Sequence, residues 1–238
     1  KHQVPVTQSK KRIYSEDRNI WHISHEGGVL ENPAQEAPDD VFTLSKTLLA
    51  ASDAPEYVTL TFDAGIPIKL NGQPLSAVDL LSQLNTIGSA HGIGQVDMVE
   101  NRLVGIKSRG VYETPGGSIL YAAHQMLEQL VLDRDTQLLK QKLALEYAQL
   151  VYDGRWFCPA REALDAFVDS TQRDMTGDIR VKVYKGNIVP AGLRAKKSLY
   201  VEDLASFSDT ELYNQQDADG FIRVFGLPMK VNGMVKRS

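Results

Sequence analysis

Strand-like and helix-like patterns occupy separate parts of this chain. Residues 57–70 and 178–193 alternate apolar and polar side chains, whereas residues 76–91 and 118–175 repeat apolar side chains at helical spacing. An antiparallel sheet with segregated helices produces this order, while a parallel sheet requires strands and helices to alternate one by one. The chain contains no G-x-G-x-x-G after a strand, no Walker A loop and no G-x-S-x-G elbow. The sequence therefore predicts an α+β fold rather than a doubly wound dinucleotide fold.

The clearest local prediction is an antiparallel hairpin over residues 57–70. Val58, Leu60 and Phe62 fall on one face of the first strand, and Ala64-Gly65 supplies the turn. Pro67 lacks a backbone N–H, which places the second strand at a sheet edge.

Helices are predicted by apolar stripes and by their end signals. Ser76 followed by Asp79 predicts the start of a helix that runs to about Gly88 or Gly92. Two further stripes, separated at residues 133–135, and a third helix at 162–175 follow. Such stripes form either a core or a subunit contact, and we expect the third helix to bury three of its side chains: Leu164, Phe167 and Val168. Short helices are also predicted within residues 41–50 and 214–230, the latter ended by Gly226 and Pro228, with a loose basic tail after it.

Composition excludes several classes of protein. The 238 residues are 42% hydrophobic, which is enough for a core, and their net charge of −4 gives no general basic field for nucleic acid. No run approaches 18 apolar residues, so we expect no membrane span and a cytoplasmic location. The one cysteine, Cys158, suits a reducing compartment and is expected to pack as a small hydrophobic side chain.

Residues 99–117 form the stretch with the most unusual composition. An apolar centre is combined with charged residues and closes on Tyr112 and a Thr-Pro-Gly-Gly turn. One interpretation is a strand or bend at the rim of a core that presents Glu100 and Tyr112 on one side. The other is a buried strand whose charged neighbours form a structural salt-bridge network, and the residues alone do not decide between them.

Residues 14–33 carry small hydroxyl side chains near glycines. Ser15 and Ser24 suit close approach of a polar ligand, and the alternative is that both serines only cap turns. His22 and His25 are spaced to share a helix face, but no further ligand completes a zinc set, so we expect no metal site.

Several longer runs, in order along essentially the whole chain, resemble the argininosuccinate synthase family. The runs are Tyr14–Asn19, Glu26–Glu31, His91–Arg102, Gly105–Pro115, Tyr152–Phe157, Val183–Asn187 and Asp219–Ile222. The family's Ser-Gly-Gly-x-Asp pyrophosphate loop has no counterpart here. The resemblance thus implies that residues 1–238 are the C-terminal synthetase and multimerisation domain without the N-terminal nucleotide-binding domain, with residues 1–30 as its leading segment and 200–238 as its tail.

The resemblance implies an ATP-dependent ligase of arginine biosynthesis. Citrulline and aspartate are condensed to argininosuccinate, with release of AMP and pyrophosphate. When the family's motifs are compared one by one, the positions that contact citrulline correspond to Ser15, Ser24, Glu100 and Tyr112. The resemblance assigns no catalytic role to any residue of this chain. ATP, with Mg, and aspartate would be bound mainly by the absent domain, so the isolated chain is expected to be inactive and to form a homo-oligomer, a tetramer in this family. Two alternatives remain open: a chain acting only as an assembly or regulatory module, and a binding domain of unknown ligand.

Overall fold

The computed structural model describes residues 14–205 and 214–237. The first part of the leading segment, where the sequence has a basic cluster of Lys1, Lys10, Lys11 and Arg12, lies outside them. The chain divides into two compact units, residues 1–199 and residues 200–238. In the described part of the first unit the strands are β1 (Ser15–Arg18), β2 (Ile23–Glu26), β3 (Glu56–Asp63), β4 (Ile66–Leu70), β5 (Gln73–Pro74), β6 (Gln95–Asn101), β7 (Lys107–Glu113), β8 (Gly177–Tyr184) and β9 (Asn187–Ala195), and the helices are α1 (Ala77–Ala90), α2 (Pro115–Val131), α3 (Arg134–Tyr152) and α4 (Pro159–Gln172).

A five-stranded antiparallel sheet in the order β5-β4-β3-β8-β9 carries the main core. Leu60 of β3 pairs with Ile179 of β8, and the alternate residues of both strands are fully buried. The predicted hairpin and the return to strand after residue 177 are confirmed. The edge position predicted for the strand of Pro67 is wrong, because β5 pairs with Lys69 and Leu70 of that strand. Strand β5 pairs with β4 at Lys69 and Leu70 and not at Pro67, so no hydrogen bond to β5 requires the N–H that Pro67 lacks.

Helices α1 and α2 cover this sheet. Their buried residues join Phe62 in one cluster, and each such side chain contributes about 1.5–3 kcal/mol when fully buried. The α1 start is as predicted, since the Ser76 hydroxyl accepts from the Asp79 N–H. The predicted Thr-Pro-Gly-Gly turn is wrong, because Pro115 begins α2. A Cβ at Gly117 would lie 2.7 Å from the Trp21 ring, so this first turn packs too closely for a side chain.

Helices α3 and α4 form as predicted but do not join the core. Neither contains a buried residue, and Leu138 and Leu139 are 44% and 46% exposed. Leu164, Phe167 and Val168 are partly buried, so the side of α4 expected to face inward is confirmed although none of the three is fully buried. Helical spacing identified the faces that the two helices turn toward each other, because Leu143 and Tyr147 of α3 and Leu164 and Val168 of α4 line a shared cavity of about 240 Å³.

The second sheet is four-stranded and antiparallel, in the order β1-β2-β7-β6. Residues 99–117 are not one strand, because β6 and β7 form a hairpin whose turn lies at residues 102–106. The turn makes the apolar centre an exposed tip: Leu103, Val104 and Ile106 are 66–76% exposed.

The connection from residue 28 to residue 55 contains no α-helix, so the helix predicted at 41–50 is wrong. It holds two short 3₁₀ turns, Gly28–Glu31 and Asp39–Val41, and then irregular backbone. The irregular part is held by a buried carboxylate, which is described below.

In the described part of the second unit lie three helices: α5 (Glu202–Ala205), α6 (Asp217–Phe225) and α7 (Leu227–Val235). The helix predicted at 214–230 is thus two helices, and residues predicted to be a loose tail continue in α7. Pro228 does not end a helix here, because it occupies the first turn of α7, where its missing N–H is not required. No helix among the described residues is long and apolar enough to cross a membrane.

Candidate functional site

The four residues singled out from the sequence lie on one face of the four-stranded sheet. Ser24 of β2 pairs with Asp17 of β1 on one side and with Tyr112 of β7 on the other. Ser15 lies two residues from Asp17, and Glu100 lies four residues from Val96, the β6 partner of Tyr112. Even spacings keep side chains on the same side of a strand. We call this side of the sheet, defined by Ser15, Ser24, Glu100 and Tyr112, the site face.

Tyr112 and Glu100 form the polar centre of the site face. Burial, the charge of Glu100 and a hydrogen bond to that carboxylate together raise the pKa of Tyr112 to about 12. The Tyr112 hydroxyl therefore stays protonated and donates to Glu100. This leaves the phenolic lone pairs and the second carboxylate oxygen as acceptors.

A charged pair lies next to this centre. Arg102 Nη2 is 2.7 Å from Glu26 Oε2 and 3.2 Å from Ser108 Oγ. Arg102 comes from the hairpin turn and Glu26 from the end of β2, so the pair joins two parts of the sheet that are 76 residues apart.

A cleft of about 670 Å³ opens beside Glu100, between the β6–β7 hairpin and α3. Met98 and Arg102 line it from the hairpin, and Leu145 lines it from the helix. Tyr152 Oη donates to the Asn101 carbonyl at 3.0 Å and links the two walls. Glu100 therefore faces a space large enough for a small molecule.

The two serines are in strands, so the interpretation that they only cap turns is wrong. Ser15 is exposed and lines a pocket of about 350 Å³ with Glu26 and Ser108. The Ser24 hydroxyl makes only a long contact of 3.5 Å with the Asp17 carbonyl. Both hydroxyls remain available to a ligand on the site face.

The opposite face of the sheet carries a buried polar cluster that sequence reasoning missed. Glu113, fully buried, accepts from His25 Nε2 at 2.8 Å and from the Ser45 hydroxyl at 2.6 Å. It also accepts from the backbone N–H groups of Thr43, Leu44 and Ser45 at 2.6–3.2 Å. Burial alone would raise the pKa of Glu113, but these donors outweigh it and lower the pKa below its usual value.

The position of this cluster behind the site face was available from residue parity. Glu113 follows Tyr112 and His25 follows Ser24, so each pair must point to opposite faces of its strand. The pairing of His22 with His25 on a helix is wrong, because His25 lies in β2 and His22 in the turn before it.

Arg109 supports the structural interpretation of the charges in residues 99–117. Its guanidinium makes a bidentate pair with Asp97 at 2.6–2.8 Å and donates to backbone carbonyls of residues 30–35. Both interpretations of the stretch thus hold for different residues: Arg109 is structural, and Glu100 and Tyr112 face outward together.

Among the described residues, no group of three or more His, Cys, Asp or Glu side chains could hold a metal ion. Cys158 is a half-buried free thiol at the residue before α4.

Comparison with known families covers nearly all of the chain. Residues 14–232 match the family described as "Arginosuccinate synthase C-terminal domain". The chain belongs to the argininosuccinate synthase family.

Similar curated proteins agree with this assignment. Argininosuccinate synthase of Roseiflexus castenholzii is 60% identical over 235 residues, and the alignment covers 99% of this chain and 58% of that protein. The corresponding values for Carboxydothermus hydrogenoformans are 59% identity, 100% and 59%. Chloroplastic argininosuccinate synthase of Arabidopsis thaliana is 54% identical, and the alignment covers 48% of that protein. The chain thus spans about half of the length of these argininosuccinate synthases.

Proposed function

We propose that this chain supplies the citrulline-binding face of an argininosuccinate synthase. In this reaction the ureido oxygen of citrulline attacks the α-phosphorus of ATP and pyrophosphate leaves. The amine of aspartate then displaces AMP, loses its proton and becomes part of argininosuccinate. The observation that carries the proposal is that Ser15, Ser24, Glu100 and Tyr112 share one sheet face although up to 97 residues separate them.

The chemistry of the site face fits a ligand rich in N–H donors. Glu100 already accepts from the Tyr112 hydroxyl and has further lone pairs for an ammonium or ureido N–H group. Arg102 is ion-paired with Glu26. A site built to hydrogen-bond a ureido group rejects an apolar isostere, because the buried polar groups would lose their partners.

These residues act by positioning citrulline rather than by transferring protons. The Tyr112 hydroxyl has its pKa raised to about 12 and does not ionise near neutral pH. Holding a nucleophile in line with its target contributes several kcal/mol to lowering a barrier. We assign binding of ATP, its Mg²⁺ and aspartate to the part of the relatives that this chain does not cover.

The test is a chimera in which this chain replaces the matching part of the R. castenholzii enzyme. We expect release of AMP and pyrophosphate that requires citrulline, ATP and aspartate together. The isolated chain and the isolated remainder of the Roseiflexus enzyme are the controls, and neither should turn over. A folded chimera without activity, measured beside active R. castenholzii enzyme, would contradict the proposal.

We also propose that the chain carries assembly contacts and forms a homotetramer. In the second unit, α6 and α7 bury no residue, and Phe221, Ile222 and Phe225 are 64–66% exposed. In the first unit, α3 leaves Leu138, Leu139 and Leu145 44–74% exposed. Light scattering of the chimera should give four copies, and a monomer at micromolar concentration would contradict this part of the proposal.

A further inference from the structure

Gly110 occupies a position in the sheet where the backbone does not require glycine. It lies within β7, pairs with Met98 of β6 and is buried. Its φ is outside the left-handed region, unlike that of Gly105 in the adjacent turn. A strand interior normally loses stability with glycine, so a space requirement is the remaining physical reason for one here.

The space above Gly110 is taken by the side chain of Tyr112. A Cβ built on Gly110 would lie 2.6 Å from Tyr112 Oη, 2.7 Å from Cζ and 2.8 Å from Cε2. Real Cβ atoms essentially never approach heavy atoms so closely. The phenol therefore lies across Gly110, with its hydroxyl turned back along the strand toward the hairpin turn.

This orientation is what brings Tyr112 to Glu100. Glu100 pairs with Ser108, which is four residues from Tyr112 along β7. At about 3.3 Å per residue, the two backbone positions are roughly 13 Å apart along the strand. A tyrosine that stood upright from the sheet would not reach the Glu100 carboxylate, whereas one that lies over Gly110 does.

We propose that Gly110 is a positioning residue of the citrulline site. Because Gly110 has no side chain, the Tyr112 ring can lie over residue 110. This position of the ring keeps the Tyr112 hydroxyl and the Glu100 carboxylate together as one acceptor pair. The effect of Gly110 on citrulline binding rests on the proposed function, whereas its effect on the position of the Tyr112 ring rests on geometry alone.

The first test compares Gly110→Ala with Gly192→Ala. Gly192 also lies in a strand, β9, outside the left-handed region, and among the described residues a Cβ there would meet only Arg180 Cβ, at an ordinary 3.7 Å. In the chimera we expect Gly110→Ala to raise the KM for citrulline about tenfold, the size of one misplaced hydrogen-bonding group, with a smaller change in kcat. Gly192→Ala should leave both constants unchanged. A citrulline KM unaffected by Gly110→Ala would overturn the proposal.

A double-mutant cycle separates loss of the contact between the Tyr112 ring and residue 110 from general damage to the sheet. The three heavy atoms nearest to a Cβ at residue 110 belong to Tyr112, so we expect Gly110→Ala to cost nothing further in KM or thermal stability when added to Tyr112→Ala. Additive losses would show that Gly110 acts through something other than the ring and would overturn the inference. The same double variant remains informative if Gly110→Ala alone proves unstable: it should fold as well as Tyr112→Ala, and its failure to do so would also count against the inference.

A spectroscopic readout distinguishes this inference from the proposed function. In the chain labelled with ¹³C at the tyrosine ε-carbons, the signal that disappears in Tyr112→Phe belongs to Tyr112. We expect Gly110→Ala to move that signal and Gly192→Ala to leave it in place. If the signal moves but the citrulline KM is unchanged in Tyr112→Phe, Tyr112→Ala and Gly110→Ala, the contact of the Tyr112 ring with residue 110 is retained and the citrulline assignment is rejected. If the signal does not move, the ring contact itself is rejected.

Discussion

His25 and Glu113 form a fully buried hydrogen-bonded pair, with Nε2 2.8 Å from Oε1, that joins β2 to β7 directly behind Ser24 and Tyr112. The other ring nitrogen of His25 lies 3.4 Å from Glu16 Oε1 of β1. Glu113 also accepts the backbone N–H groups of residues 43–45. The Glu113 carboxylate thus joins two strands of the sheet and satisfies the backbone N–H groups of an irregular loop.

Glu113→Gln should destabilise the chain by about 3 kcal/mol, because an amide nitrogen would face backbone N–H donors. The folded-state pKa of Glu113 is lowered, so its ionised form stabilises the fold above the unfolded-state pKa, and this contribution disappears as the pH falls through the folded-state value. The difference in unfolding free energy between wild type and variant should therefore narrow below pH 4.5.

Thermal unfolding followed by circular dichroism between pH 3 and pH 7 provides the measurement for Glu113. The control is Glu146→Gln, which changes an exposed carboxylate on α3. A destabilisation by Glu113→Gln that stays constant into acid would indicate that the carboxylate charge does not stabilise the fold.

Glu100→Ala should raise the citrulline KM of the chimera by tenfold or more. The variant removes the carboxylate that faces the cleft beside α3 and leaves Tyr112 without its acceptor. Steady-state kinetics with citrulline varied at saturating ATP and aspartate gives the measurement, with Glu146→Ala as the matched control. Unchanged KM and kcat would remove Glu100 from the site.

Tyr112→Phe should change the alkaline stability of the chain in a defined direction. The folded-state pKa of about 12 exceeds the usual value of 10.0, so between these values the unfolded tyrosine ionises while the folded one does not. The wild type should lose stability relative to Tyr112→Phe as the pH rises from 10 to 12, and other tyrosines cancel in the comparison. Parallel denaturation curves over this range would show that Tyr112 is not held protonated.

Leu103→Ser should cost no more than about 0.5 kcal/mol in unfolding free energy, because Leu103 is 67% exposed at the hairpin tip. Leu60→Ala, at a fully buried position of β3, should cost about 2–5 kcal/mol. Denaturant unfolding of the chain compares the two. Equal losses would mean that the tip is packed against another part of the protein.

Much of the first unit could be predicted because its signals are local. Alternation at Val58, Leu60 and Phe62 specifies which face of β3 is buried, and the Ser76 hydroxyl caps α1 within four residues of chain. Parity places Glu100 on one face of β6 and Tyr112 on one face of β7, and the register of the two strands makes these the same face. The failures have a different origin: the turn at residues 102–106 reverses the chain through apolar residues, and α3 and α4 face each other instead of joining the main core.

The sequence by itself determined the fold class, the family and the four residues of the candidate site, because these depend on periodicity and on motifs of neighbouring residues. Only the tertiary structure decided that Ser15 and Ser24 lie in strands beside Tyr112, that Glu113 holds the loop at residues 43–45, and that the phenol of Tyr112 rests on Gly110. Each of these depends on strand pairing, loop contact or side-chain direction. The free energy of such contacts depends on which groups meet across the fold, and a local sequence pattern does not specify the distant residue that a group will contact.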